Sequence, residues 1–159
     1  MVRVLFVCLG NICRSPMAEA VFRHKVKEAG LENKIEVDSA GTASWHTGKQ
    51  PHHGTRGKLD TLEISYDGMR ARQVNEKDFE TFDYVLAMDE QNILDIEDIY
   101  SFDKKKLHFG KLMDIVENPK EVNVPDPYFT GNFDYTYELV SEACDALLKK
   151  IKTEHKING

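Results

Sequence analysis

The feature that most constrains the fold is a largely apolar run that passes through a short loop directly into a helix. The run spans Val2 to Val7, and the loop after it, named the Cys8 loop here, reads Cys8-Leu9-Gly10-Asn11-Ile12-Cys13-Arg14-Ser15. Ser15-Pro16 is a helix-start signal, because serine is a favoured N-cap and proline fits the first helical position. The segment therefore predicts a strand, a loop and a helix in succession.

The rest of the chain alternates strand and helix patterns. Predicted strands cover 2–8, about 35–39, 84–88 and a short segment near 107–109. Predicted helices cover 16–29, roughly 52–63, 90–98 and 133–154. This alternation indicates an α/β three-layer fold, with a central four-stranded parallel sheet, helices on both faces and ligands at the carboxyl ends of the strands. We expect one domain over residues 1–159, with a phosphate-binding loop after the first strand.

The Cys8 loop predicts chemistry on a phosphate-like anion. Five residues separate Cys8 from Arg14, so the loop can close around a tetrahedral oxyanion with N–H groups and a helix N-terminus facing it. Cys8 would act as a thiolate nucleophile, and Arg14 could donate two hydrogen bonds to the anion. Alone, a strand-end cysteine is most often a buried hydrophobe, so the strand–loop–helix setting is what supports this interpretation.

Composition excludes several other classes of protein. No stretch approaches the ~20 apolar residues that cross a membrane, and the N-terminus lacks the pattern of a signal peptide. The net charge of −6 argues against nucleic-acid or anionic-membrane partners. Three cysteines at irregular spacing argue against a disulfide framework, so we expect a reducing, cytoplasmic location.

Residues 5–19 resemble the low-molecular-weight protein tyrosine phosphatases. The resemblance continues through 38–42, 71–73, 83–89 and Val124-Pro125-Asp126-Pro127-Tyr128, and so covers essentially the whole chain. It implies a phosphotyrosine phosphatase that hydrolyses protein phosphotyrosine and aryl phosphates through a phosphocysteine intermediate, without a metal ion or cofactor. Proteins or peptides that contain phosphotyrosine are the expected partners, and the chain is expected to act as a monomer.

The resemblance also implies the catalytic roles. Cys8 is the nucleophile, Arg14 binds the transferring phosphoryl group, and Asp126 protonates the leaving group before it accepts a proton from water. From the residues alone, an aspartate between two prolines is most often a turn residue. Ser15 would donate a hydrogen bond to the sulfur, or act only as an N-cap.

Further residues are expected to support the loop. Gly10 and Asn11 tolerate a positive φ, and by resemblance the Asn11 side chain braces the loop with Ser39 as its partner. Asp89 would hold the loop through polar contacts, although a helix N-cap is an equally good interpretation.

Aromatic residues are expected to line the substrate pocket. Trp45 lies in a polar, glycine-containing loop, where a tryptophan is more often a contact residue than a core residue. By resemblance, Tyr128 forms a second wall. Leu9 and Ile12 would add apolar surface toward the same aryl ring.

Two further cysteines and a histidine pair need separate interpretations. Cys13 would form a reversible disulfide with Cys8 in the family, or is only a small packing residue. Cys144 falls on the apolar stripe of the last helix, which predicts a core position. No cluster has metal-ligand spacing, and His52-His53 is better explained as a helix-start or surface pair.

Two other functions use a similar loop. An arsenate reductase on the same scaffold relays a disulfide through two further cysteines, usually near mid-chain, but this sequence has none between Cys13 and Cys144. A non-catalytic phosphopeptide-binding module would be expected to lack the nucleophile or the acid, whereas Cys8, Arg14 and Asp126 are all present.

Overall fold

A computed structural model describes residues 1–157 and contains one four-stranded parallel sheet. The strands are β1 (Val2–Cys8), β2 (Ile35–Gly41), β3 (Tyr84–Ala87) and β4 (His108–Lys111), in the order β2-β1-β3-β4. The helices are α1 (Arg14–Glu28), α2 (His53–Thr61), α3 (Asp78–Thr81), α4 (Glu90–Ile99), α5 (Pro127–Thr130) and α6 (Phe133–Glu154), with a 3₁₀ helix at Leu112–Ile115. The α/β fold expected from the sequence is confirmed.

Helices cover both faces of the sheet because its central strand is apolar on both sides. Val4 and Phe6 of β1 belong to a core cluster with residues of α1 and α6. Leu5 and Val7 belong to a second cluster on the opposite face, with residues of α3 and α4. Parallel strands that are buried on both faces have nearly continuous apolar sequences, which explains the run that dominates the N-terminus.

The helix after the Cys8 loop begins earlier than predicted. Arg14, rather than Pro16, is the first residue of α1, and Cys13 precedes it without a side-chain cap. Ser15 lies inside the helix and is not its N-cap. Its hydroxyl is directed at the Cys8 sulfur instead. Pro16 is still within the first turn, where a backbone N–H would have no acceptor inside the helix.

The topology brings several loops to one edge of the sheet. Cys8 pairs with Gly41 where β1 and β2 end, so the Cys8 loop lies beside the segment that follows β2. The Val124 N–H donates to the Met88 carbonyl at 2.9 Å, which holds the segment before Asp126 near the end of β3. Among residues 1–157, no helix is long and apolar enough to cross a membrane.

Candidate active site

The Cys8 sulfur is buried and lies within reach of two hydrogen-bond donors. Its distance to the Ser15 hydroxyl is 3.0 Å, and it accepts the Asn11 N–H at 3.3 Å. Asn11 has a φ of 56°, a left-handed conformation that asparagine tolerates better than most residues. Both donors can stabilise negative charge on the sulfur.

The Asn11 side chain joins the loop to two other segments. Its Nδ2 donates to the Ser15 and Ser39 hydroxyls at 2.8 and 3.0 Å. Its Oδ1 accepts the Arg72 backbone N–H at 3.0 Å. The expected contact between Asn11 and Ser39 is present, and the bond from Arg72 adds an anchor that the sequence did not predict.

Glu19 extends this network into the interior and was also missed. The Ser39 hydroxyl donates to Glu19 at 2.6 Å, and Arg23 forms an ion pair with the same carboxyl group. Burial raises the pKa of Glu19 above its usual value, although the bonds from Ser39 and Arg23 oppose that shift. Glu19 follows Ser15 by one helical turn and so lies on the same side of α1. That spacing is the sequence signal that could have identified Glu19 as a support for the loop.

The Arg14 guanidinium is held in place by two other segments. Its side chain is only 3% exposed; Nη1 donates to Asp89 at 2.6 Å and to the Val124 carbonyl at 3.0 Å. Nη2 lies 3.5 Å from an Asp126 carboxylate oxygen. Burial lowers the pKa of Arg14, but the negative charges of Cys8, Asp89 and Asp126 together outweigh burial, so the net shift is upward. The guanidinium therefore stays charged.

Asp89 makes both of the contacts considered for it. One carboxylate oxygen accepts a hydrogen bond from Arg14, and the other accepts the Asn92 N–H at 2.8 Å. The Asn92 side-chain oxygen in turn accepts the Asp89 N–H at 3.2 Å, which completes a capping box at the start of α4. One residue thus joins the end of β3 to the loop.

Asp126 is the N-cap of the short helix α5. One carboxylate oxygen accepts the Tyr128 N–H at 3.0 Å, while the other lies toward Arg14. Its side chain is 22% exposed, so it remains open to the pocket beside Cys8. Asp126 is therefore a turn residue, as its two flanking prolines indicate, and also lines the pocket that contains Cys8.

A pocket of about 310 Å³ opens above the Cys8 loop. Trp45 and Tyr128 are 70% and 55% exposed and line this pocket. The structure therefore brings the predicted aromatic residues to the predicted nucleophile. His46 and Phe129, which the sequence did not single out, also line the pocket; the full lining is Cys8, Leu9, Gly10, Ile12, Cys13, Arg14, Trp45, His46, Asp126, Tyr128 and Phe129.

Comparisons with known proteins identify the family. A sequence-family model described as "Low molecular weight phosphotyrosine protein phosphatase" matches residues 3–157. The chain belongs to the low-molecular-weight protein tyrosine phosphatase family. Two relatives are named low-molecular-weight protein-tyrosine-phosphatases: Bacillus subtilis YfkJ is 50% identical over 99% of this chain and 100% of its own length. Staphylococcus epidermidis PtpA is 44% identical over 95% and 94%.

Similar solved structures have the same fold. The crystal structure of YfkJ matches with a TM-score of 0.93, covering 97% of this chain and 96% of that one. A structure titled Drosophila arginine phosphatase has a TM-score of 0.85 at 32% identity, covering 94% and 97%. The chain is thus a phosphatase by family and by fold.

Two glycines of the phosphatase matter because they lack a side chain, which would collide with neighbouring atoms, and not because their backbone needs a positive φ. Gly10 was expected to supply backbone freedom because glycine tolerates a positive φ, but Gly10 does not adopt one. The His46 ring packs against it instead, and a Cβ on Gly10 would lie 3.0 Å from the ring. Gly41 was not assigned a role, yet a Cβ there would lie 2.8 Å from the Leu9 carbonyl oxygen.

The remaining cysteines lie in two different environments. Cys13 is a buried free thiol that packs with Ile12 and Ala71. Burial, together with the charges of Cys8 and Asp126, raises its pKa to about 12, so this sulfur remains a thiol at neutral pH. Cys144, on α6, is fully buried in the core as predicted, with its sulfur 3.9 Å from the Ala18 carbonyl oxygen of α1.

His52 and His53 occupy the start of α2, as predicted. His52 is the N-cap, and its Nδ1 accepts the Gly54 N–H at 3.0 Å. Within the described part of the phosphatase, no group of three or more His, Cys, Asp or Glu side chains is arranged to hold a metal ion.

Proposed function

We propose that the phosphatase hydrolyses protein phosphotyrosine and aryl phosphates through a phosphocysteine intermediate at Cys8, without a metal ion or cofactor. The observation that carries the proposal is that Asp126, which is more than 100 residues away in the sequence, meets Cys8 and Arg14 of the Cys8 loop in one pocket. Each has the residue type that one part of this reaction requires: a nucleophile, a cation for the phosphoryl oxygens, and a proton donor.

In the first step, the Cys8 thiolate attacks phosphorus. The S–P bond forms while the bond from phosphorus to the phenolic oxygen breaks, and Asp126 transfers its proton to that oxygen. The Ser15 hydroxyl and the Asn11 N–H support the thiolate before attack. Arg14 is held by Asp89 in the pocket, so it stabilises phosphoryl charge with little reorganisation.

In the second step, water attacks the phosphocysteine. Asp126, now a carboxylate, accepts a proton from the water as the new P–O bond forms. The S–P bond breaks, phosphate is released and the Cys8 thiolate is restored. Asp126 therefore serves both steps from one position, which its N-cap bond to Tyr128 maintains.

The proposed preference for aryl substrates follows from the side chains above the loop. Trp45 and Tyr128 offer flat aromatic faces, and Ile12 adds apolar surface in the same pocket. Such walls favour a phenyl ring, which gains from aromatic contacts in addition to burial. Metal independence follows from the charge balance, since Arg14 and the loop N–H groups supply the positive potential that phosphoryl transfer needs.

The two alternative functions have less support. A reductase relay would need further accessible cysteines, but Cys144 is fully buried. A module that only binds phosphopeptides would not need an aspartate beside the nucleophile, whereas Asp126 lies in the same pocket as Cys8.

We also propose that one domain spans residues 1–159 and that the enzyme acts as a cytoplasmic monomer. All residues of the proposed reaction belong to one chain, and the three cysteines are free thiols, which suits a reducing compartment. The net charge of −6 gives no support to a nucleic-acid or membrane partner.

The direct test measures phosphate release from a phosphotyrosine peptide with a metal chelator present. We expect turnover by the native chain and none by Cys8→Ser. A phosphoarginine peptide of the same sequence is the comparison substrate, because one similar structure is titled an arginine phosphatase. Faster release from phosphoarginine, loss of activity in chelator, or full activity in Cys8→Ser would contradict the proposal.

A further inference from the structure

We infer that His52 is a positioning residue that holds the Tyr128 wall against the Cys8 loop and so controls preference for aryl ligands. This inference rests on the proposed function, because it concerns how the aromatic part of the substrate is recognised. His52 does not line the pocket; it contacts Ile12 of the Cys8 loop, Tyr128 of α5 and Phe133 at the start of α6.

The first contact joins His52 to the loop that binds phosphate. Its backbone N–H donates to the Ile12 carbonyl oxygen at 2.6 Å. The position of His52 is therefore tied directly to the loop between Cys8 and Arg14. Its side chain completes a second tie, since Nδ1 accepts the Gly54 N–H at the start of α2.

The ring of His52 is fixed by aromatic neighbours. It stacks on Phe133, the first residue of α6, with ring centroids 5.3 Å apart and planes inclined by 15°. The approach is close enough that a Cβ on Gly54 would lie 2.3 Å from the Phe133 ring. Glycine at 54 is thus required for this packing, and it leaves the imidazole little freedom to rotate.

The Tyr128 ring meets His52 edge-on. The centroids are 5.8 Å apart and the planes inclined by 74°, a favoured geometry for an aromatic pair. Tyr128 is half-exposed, so few other contacts fix its side chain; Phe129 supplies the other aromatic contact. His52 therefore presets one wall of the pocket before an aryl group arrives, which lowers the ordering cost of binding.

The hydrogen bond at Nδ1 also fixes the protonation state that this role requires. A nitrogen that accepts a hydrogen bond carries no proton, so the ring is the neutral Nε2–H tautomer. Burial, His53 and Arg56 lower the pKa of His52, as does His46, while Asp126 opposes them. At the start of α6, Asp134 is already paired with Lys58. Acidification would place a proton on Nδ1, turn the acceptor into a donor and release the ring.

The test compares two inhibitors of the full-length enzyme. Inorganic phosphate reports on the Cys8 loop alone, and benzylphosphonate reports on the loop plus the aromatic wall. Their ratio of inhibition constants measures aryl preference. We expect His52→Asn, which keeps an N-cap side chain, to reduce this preference about threefold to tenfold while phosphate inhibition stays unchanged.

Two further variants separate positioning from a general effect on folding. His52→Phe keeps an aromatic ring on Phe133 and, unlike a protonated imidazole, sets no second N–H donor against the Gly54 N–H; it should retain the aryl preference, while loss of the cap lowers its Tm. His53→Asn removes the exposed neighbouring ring, whose centroid lies 4.2 Å from that of His52, but leaves the contacts of His52 with Phe133 and Tyr128 in place. It should therefore retain the aryl preference. Loss of aryl preference in His53→Asn, or equal loss for both inhibitors in His52→Asn, would overturn the inference.

The pH dependence gives a second readout. In the native enzyme, aryl preference should fall as the pH is lowered from about 7 to about 5, whereas in His52→Asn it should change much less. The other groups of the pocket are the same in both proteins, so the difference between them isolates His52. An identical pH profile in the two would contradict the inference. Because both inhibitors are scored by binding, a native chain that failed to hydrolyse phosphotyrosine would refute the proposed function without deciding the role of His52.

Discussion

Substitution of Gly41 by alanine should damage the active site without touching a catalytic side chain. The added Cβ would lie 2.8 Å from the Leu9 carbonyl oxygen and 3.1 Å from both the Ala43 oxygen and the Asn11 nitrogen. All three are backbone atoms, so no side chain can rotate away. A relaxed carbon–oxygen contact needs about 3.3 Å, so something must move by about 0.5 Å.

The glycine itself has little room to move. Its N–H donates to the Arg72 carbonyl and its carbonyl accepts the Val74 N–H, both at 2.8 Å. The displacement must therefore fall mainly on the Cys8 loop, including the Asn11 N–H that donates to the sulfur. If a 1 Å error costs about a hundredfold in rate, a shift of half that size should lower kcat/KM about tenfold. Overpacking should also cost about 1–3 kcal/mol of stability.

The assay measures kcat/KM for an aryl phosphate, inhibition by inorganic phosphate, and Tm. Gly57→Ala is the matched control, because a Cβ at this α2 position meets no atom within 4 Å. The control should keep full activity and gain up to about 1 kcal/mol of stability. Gly41→Ala with native kcat/KM and native phosphate inhibition would refute the packing explanation, whatever its Tm.

Three other substitutions test separate parts of the account. Asp126→Ala should lower kcat about 100-fold or more for a phenolic leaving group, with little change in phosphate inhibition, and unchanged turnover would remove Asp126 from the mechanism. Asp89→Asn retains an N-cap for α4 but loses the charge that holds Arg14, so kcat should fall about tenfold at nearly unchanged Tm; native kcat would contradict this role. Glu19→Gln should weaken the pH dependence of stability. Since burial raises the folded pKa of Glu19, its contribution is present below about pH 4.5 and is lost as pH rises through the folded pKa. Tm profiles of the two proteins check this, and parallel profiles would contradict it.

Local patterns predicted the strands and the long helices well. β1 has the predicted bounds, and α6 spans the predicted 133–154, because each has a long and regular apolar pattern. The four-residue helices α3 and α5 were missed, since a single turn is too short to show a period. The predicted start of α1 was two residues too late, because the Ser15 hydroxyl is directed at Cys8 and does not cap the helix.

The site shows a similar division between what is local and what is not. The positions of Cys8 and Arg14 follow from one continuous segment, and the family resemblance extended the prediction to Asp126. The bonds that the Arg72 N–H donates to Asn11 and the Ser39 hydroxyl donates to Glu19 depend on contacts that only the folded chain creates. The need for glycine at position 10 also arises from a contact between separate loops. The His46 ring packs against Gly10 and leaves no room for a side chain, whereas the sequence alone suggested a need for backbone freedom.

The central claim is that the phosphoryl group passes through the Cys8 sulfur. The most direct measurement mixes the enzyme with p-nitrophenyl phosphate, quenches within milliseconds and locates the phosphoryl group by peptide mass spectrometry. Asp126→Ala should accumulate the intermediate, because this leaving group needs little acid assistance and the second step has lost its base. We predict one phosphoryl group on the peptide that contains Cys8, and none in Cys8→Ser. A phosphoryl group on another residue, or turnover without any phosphoenzyme, would contradict the account.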